Sequence, residues 1–162
     1  MTAYYGVIYP HLSYGLALWG SCSNANFSRL FILQKQAIRT IAKLQWRESC
    51  KPAFKTLNLL TLPCLYILES CLFFKSKGEP IRGTDVHSYE TRDRESYRTG
   101  RHRTVAYERL PSQAGVRFVN KLPNSIKSAP MPQAFKTRLK RILMENAFYS
   151  IGEFMAHNWE TS

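Results

Sequence analysis

Leu57–Phe74 is the most apolar stretch of the chain, and a segment of this kind has to be enclosed. Thr61 can accept a hydrogen bond from an orphan backbone N–H at a helix start, and Pro63 falls in the first turn, where a missing N–H costs little. The spacing predicts a helix that turns Leu65, Leu68, Leu72 and Phe73 to the core and ends over Lys75–Gly78. Its apolar breadth calls for burial on more than one side, so the rest of the chain must supply packing partners.

The clearest of these partners is Phe27–Arg47, a run without Pro or Gly. Phe27, Leu30, Leu33, Ala37, Ile41 and Leu44 recur at three- and four-residue spacing, as one helix face must, and Phe31 and Ile38 widen that face. Asn24 or Asn26 can cap its start. Lys35, Arg39, Lys43 and Arg47 recur every four residues on the other face, with Arg29 nearby and no acid between Arg29 and Glu48. Like charges at this spacing repel, and an ordinary solvated face mixes in Glu. The pattern suits a helix laid along a phosphate backbone, and it also suits a purely solvated basic face.

Upstream, residues 1–28 contain no Lys, Arg, Asp or Glu. Tyr5, Ile8, Leu12, Leu16 and Trp19 keep helical spacing across Pro10, which predicts a helix kinked or restarted there. No basic residue precedes the apolar run, so it does not read as a signal peptide, and Pro10, His11, Ser13 and Gly15 interrupt it as a membrane span. A segment without charge is expected to be covered by protein on several sides, as in a piece of a longer polypeptide. The expected location is intracellular, nuclear or cytoplasmic.

Between the two long helices, Pro52, Phe54 and Leu57 fit a short helix entered through Pro. Beyond Gly78 the composition changes to mixed charge, and residues 78–109 read as a long polar loop with a short strand near Thr104–Tyr107. Residues 110–132 are rich in Pro; Val116, Phe118, Val119, Leu122 and Ile126 can dock on a core, and Leu122–Ile126 reads as a turn leading into one helical turn. A last amphipathic helix is expected from about Pro132 to Asn146, with Phe135, Leu139, Ile142 and Leu143 inward and Lys136, Arg138, Lys140 and Arg141 outward. Phe148, Ile151, Met155 and Trp159 then keep helical spacing in the tail, and burying them is worth roughly 25 cal/mol per Å². They are expected to pack on the body or on a partner.

A net charge of +12 over 162 residues points to nucleic acid before an anionic membrane. The four Cys form no CxxC and no zinc-type cluster with His, which favours reduced, buried thiols. His87 and His102 have no nearby Cys to complete a metal site. There is no Gly-rich phosphate loop, GxSxG or HExxH, and no paired-carboxylate motif on a strand. No catalytic residue, metal ligand or cofactor site is expected in this chain.

Several segments, taken in order, resemble the region after the polymerase core in reverse transcriptases of non-LTR (LINE-type, jockey-like) retrotransposons. They are YYGVIYPHLSYGLALWG, FILQKQAIRTIA and FKTLNLLTL, then His87-Ser88-Tyr89-Glu90-Thr91-Arg92, VRFVNKLPNSIK followed by FKTRLKRIL, and FYSIGEF. One departure is Val119, where many relatives have Trp before the Asn-x-Leu-Pro turn. The resemblance implies the thumb and C-terminal region of such an enzyme, a helical bundle that grips the RNA–DNA duplex. Catalysis and its two Mg²⁺ ions would lie in an upstream palm, whose acids have no counterpart here.

The expected fold is mainly α: a thumb-like helical bundle over 1–77, a polar charged loop over 78–109, and a C-terminal segment over 110–162 with the basic helix and aromatic tail. The expected ligand is the backbone of an RNA–DNA or DNA duplex, and the missing palm is a candidate protein partner. Arg29, Lys35, Arg39, Lys43 and Arg47 form the candidate surface, and Lys136, Lys140 and Arg141 a second patch. The rival reading is a helical protein-interaction module whose basic faces only solvate it. A membrane-surface role for the basic amphipathic helices is the lesser rival.

Overall fold

A computed structural model describes residues 2–77, 96–99, 104–129 and 131–159. The protein is mainly helical, and its described residues contain no strand element. The chain opens with a single wide π turn, Tyr4–Ile8, which runs into α1 (Tyr9–Ser13). Pro10 lies in the first turn of α1 and has no N–H to return to Gly6, so the turn before it widens and Tyr9 N–H reaches back to Tyr4 O. The kink or restart expected at Pro10 takes the form of this widened turn, after which α1 begins. The true break comes at Tyr14 and Gly15, where Gly15 takes φ +61° before α2 (Leu16–Trp19). Tyr4, Leu12 and Leu16 are buried, whereas Tyr5 of the expected apolar face stays exposed.

The long basic helix is α3 (Asn24–Ala42), and it is shorter and differently capped than its sequence suggests. Ser23 caps it, accepting from Asn26 N–H at 3.4 Å, so neither Asn is the cap. It stops at Ala42 because Lys43 turns left-handed at φ 52°. Leu44 N–H bonds Arg39 O at 3.0 Å and Lys43 N–H reaches Thr40 O at 3.4 Å, the paired closure usually built around a Gly. The face turned inward is centred on Phe31, Gln34 and Ile38, flanked by Phe27, Leu30 and Ile41. Leu33, expected in the core, is 59% exposed.

The amide of Gln34 is buried, and both its nitrogen and its oxygen are hydrogen-bonded. It donates to Tyr4 Oη and to Leu60 O at 2.9 Å each, and accepts from Leu62 N–H at 2.7 Å. One side chain thus ties α3 to the opening turn and to the start of the apolar helix. Between them lies α4 (Lys51–Thr56), with Pro52 in its first turn and Phe54 fully buried.

The apolar helix is α5 (Leu62–Ser76), begun by Thr61, which accepts from Cys64 N–H at 3.3 Å. Residues on nearly every side of it are buried, Cys64 to Leu68 without a gap, so the expected burial on several sides holds. Near its end Phe74 takes the core position, and Phe73 lies half-buried.

Of the polar segment, residues 78–95 and 100–103 lie outside the described residues, and with them His87–Arg92 and His102. Tyr97 is buried: its N–H bonds Asn120 Oδ1 at 2.9 Å, Asn120 Nδ2 bonds its carbonyl at 2.8 Å, and its ring meets Phe74 edge-on at 5.1 Å. Thr104–Tyr107 is no strand; Thr104 precedes a helical turn, α6 (Val105–Glu108). The Pro-rich part holds an unexpected helix, α7 (Pro111–Lys121), with Pro in its first turn. The short α8 (Asn124–Lys127) follows Pro123 as expected, and Val116, Phe118, Val119, Leu122 and Ile126 are all buried.

The close crossing of α5 and α7 depends on Gly115, where a Cβ would lie 2.6 Å from both Ser70 O and Phe74 Cβ. On another side of α5, Gly20 lets the turn after α2 approach so closely that a Cβ would overlap the Tyr66 ring. The basic C-terminal helix α9 (Pro132–Asn146) matches its expected bounds and buries Phe135, Leu139 and Leu143. The tail forms α10 (Ile151–Ala156) and packs back on the body. Phe154 is buried against Phe118, Phe148 and Trp159, at ring separations of 5.9, 5.5 and 5.9 Å. One core therefore runs from Tyr4 to Phe154, and the chain segments before and after the polar stretch share it through α5. Cys50, Cys64 and Cys71 are buried free thiols, and Cys22 is half-buried and free. Burial pushes the Cys64 thiol up to about 11.

Candidate nucleic-acid interface

The left-handed turn at Lys43 redraws the basic surface. Lys35 and Arg39 lie on α3, but Lys43 caps it and Arg47 stands in the loop beyond, so the four cations do not form one helical line. The expected line assumed a helix continuing to Arg47, and no Gly or Pro signals the stop. Arg29 is exposed in the first half of α3, two turns before Gln36.

The four side chains also differ in how they are held. Lys35 Nζ sits 4.9 Å from the centre of the Phe31 ring and 5.8 Å from that of Tyr149, at the edge of the core. Burial pushes the Tyr149 phenol up to about 12. Arg39 donates through Nη1 to the carbonyls of Gln45 and Trp46, both at 2.8 Å, and so fixes the loop after α3. It keeps its charge at the surface while acting as a structural clamp. Lys43 and Arg47 are exposed.

Two shallow grooves run along this side of α3. One is lined by Ile32, Lys35, Gln36, Arg39 and Trp46, and the other by Gln36, Arg39, Thr40, Lys43, Leu44 and Trp46. Trp46 borders both and is 87% exposed. Sequence reasoning gave this residue no role. Its signal was an indole between Gln45 and Arg47, in a polar turn with no apolar neighbour on either side.

The second patch is less uniform. Lys136, Lys140 and Arg141 are exposed on α9. Lys136 and Lys140 line a small cleft with Tyr4, Tyr5, Tyr9, Asn58 and Glu69. Burial raises the Glu69 carboxyl above its ordinary value, and the charge of Lys136 acts against that rise. Arg138 donates to Ser125 O at 2.7 Å and thereby ties α9 to α8. This cleft shares no residue with the grooves along α3, so the two patches are not joined into one groove.

Among the described residues, no three His, Cys, Asp or Glu are grouped as a metal site needs, and no helix is long and apolar enough to cross a membrane. No protein-family model, curated protein or solved structure matches the chain.

Proposed function

We propose that this chain is the C-terminal, thumb-type part of a non-LTR retrotransposon RNA-directed DNA polymerase. In this reading it binds RNA and DNA backbone without sequence preference, does no chemistry of its own, and works inside the cell in nucleus or cytoplasm. The motif order supports the origin. The binding reading rests on one observation: Lys35, Arg39, Lys43 and Arg47 gather around one end of α3, and Glu48 in the following turn accepts from Gln45 N–H at 3.2 Å. Such a surface neutralises phosphates and releases counterions, which makes binding steeply salt-dependent. The acids that hold Mg²⁺ would belong to the palm, with which this chain would pack.

Fluorescence anisotropy of a labelled RNA–DNA hybrid, titrated with the purified chain at several salt concentrations, tests this. The log–log slope should be near −3 to −4, at about −0.9 per phosphate contact. Lys43→Ala and Arg47→Ala should each reduce it by roughly one unit, equally for all sequences. An unchanged affinity and slope in the double variant would overturn the assignment.

The protein-interaction reading has its own support in Val7, Tyr14 and Leu18, exposed on the uncharged opening segment. It predicts self-association or protein binding with nucleic-acid affinity at background in moderate salt.

A further inference from the structure

We propose that Trp46 is a stacking platform for an unpaired base, so that the preferred ligand of the α3 surface is single-stranded nucleic acid; this rests on the backbone-binding reading above. A single exposed apolar residue is ordinary and proves nothing alone. Tyr14 is equally bare, at 86%, but it stands on a segment without charge. Trp46 differs in how it is held and in what surrounds it.

Its backbone is fixed from three directions. Lys43 turns the chain out of α3, Arg39 grips the carbonyls of Gln45 and Trp46 at 2.8 Å, and Glu48 accepts from Gln45 N–H at 3.2 Å. The indole is therefore presented by a clamped turn, and little backbone ordering remains to be done on binding. It borders both grooves, with Ile32 and Lys35 on one side and Lys43 and Leu44 on the other. Arg47 follows it directly.

An aromatic face beside a positively charged groove is how sequence-tolerant single-strand binders work: bases stack on the ring while cations follow the phosphates. A continuous duplex hides its base faces within the stack and offers the indole only its backbone. A single strand offers both, so the geometry favours it over uniform duplex.

The test compares binding of the full chain to a labelled 12-nucleotide oligo-dU strand and to a labelled 12-base-pair duplex, across several salt concentrations. Trp46→Ala should weaken strand binding by about 5- to 150-fold. It should change duplex binding less than about twofold, with the salt slope on both kept, because no charge is lost. Trp46→Phe should recover part of the strand affinity. Equal loss on strand and duplex, or no loss on either, would overturn the stacking role. If Trp46→Ala is silent while the Lys43→Ala/Arg47→Ala double variant lowers the slope, backbone binding stands and stacking falls. If the wild-type chain binds neither probe at low salt, both fall.

Discussion

Replacing Gln34 by Leu would strip Tyr4 Oη, Leu60 O and Leu62 N–H of one shared partner in a buried setting. Each orphaned group costs about 1–3 kcal/mol, so urea unfolding should show a loss of at least about 2 kcal/mol. Leu33→Ala, one position earlier on an exposed side chain, should stay within about 0.5 kcal/mol. A reversed order would place the core face of α3 where the apolar spacing first put it. That spacing was misleading because a polar residue sits at the centre of the true face, and nothing local distinguishes a satisfied buried amide from a solvated one. Lys43 carries a second residue-level consequence. A non-Gly residue in the left-handed region is strained, so Lys43→Gly should raise stability by about 0.5–1 kcal/mol in thermal or urea unfolding. The same change should cost nucleic-acid binding about one unit of salt slope, which separates charge from folding in a single variant.

Among the elements, α5 and α9 were legible almost to their ends, because each pairs a Pro in the first turn with sustained apolar spacing. The helix α7 was not. Pro111, Gly115 and Pro123 look like loop punctuation in the sequence, yet Pro111 occupies a first turn, where it is tolerated, and Gly115 is required by the closeness of α5. That requirement exists only once two helices cross, so no local pattern could report it. Gly115→Ala would force a Cβ to within 2.6 Å of Ser70 O and Phe74 Cβ, and differential unfolding should register a loss of about 1–3 kcal/mol. A neutral result would mean that α7 does not pack on α5 at this spacing. Of the candidate surface, the charges were readable and their arrangement was not. The cations could be counted along the chain, but the turn that carries Lys43, Trp46 and Arg47 off the helix axis depends on a left-handed Lys, with no Gly to announce it.

Across the whole molecule, the tail is held to the body by buried aromatic rings and by the pair Lys51–Glu153 at 2.6 Å. Burial alone would raise the Glu153 carboxyl. The bond from Lys51, the N–H of Tyr149 and that of Ser150's capping turn outweigh it and hold the carboxyl below its ordinary 4.5. A carboxyl lowered on folding stabilises fully above its unfolded value, and the contribution is lost as pH falls through the folded one. Both side chains are more than a third exposed, at 37% and 39%, so the effect should be no more than about 1 kcal/mol. Glu153→Gln should lower stability by up to about 1 kcal/mol above about pH 4.5, and the difference from the parent chain should vanish as pH falls below that value. If the basic end of α3 is where nucleic acid binds, amide hydrogen exchange with and without an added oligonucleotide reports it directly. Protection should rise over residues 32–47 and change little over α9. Protection centred on α9, or on the uncharged opening segment, would contradict the placement of the binding surface at the end of α3.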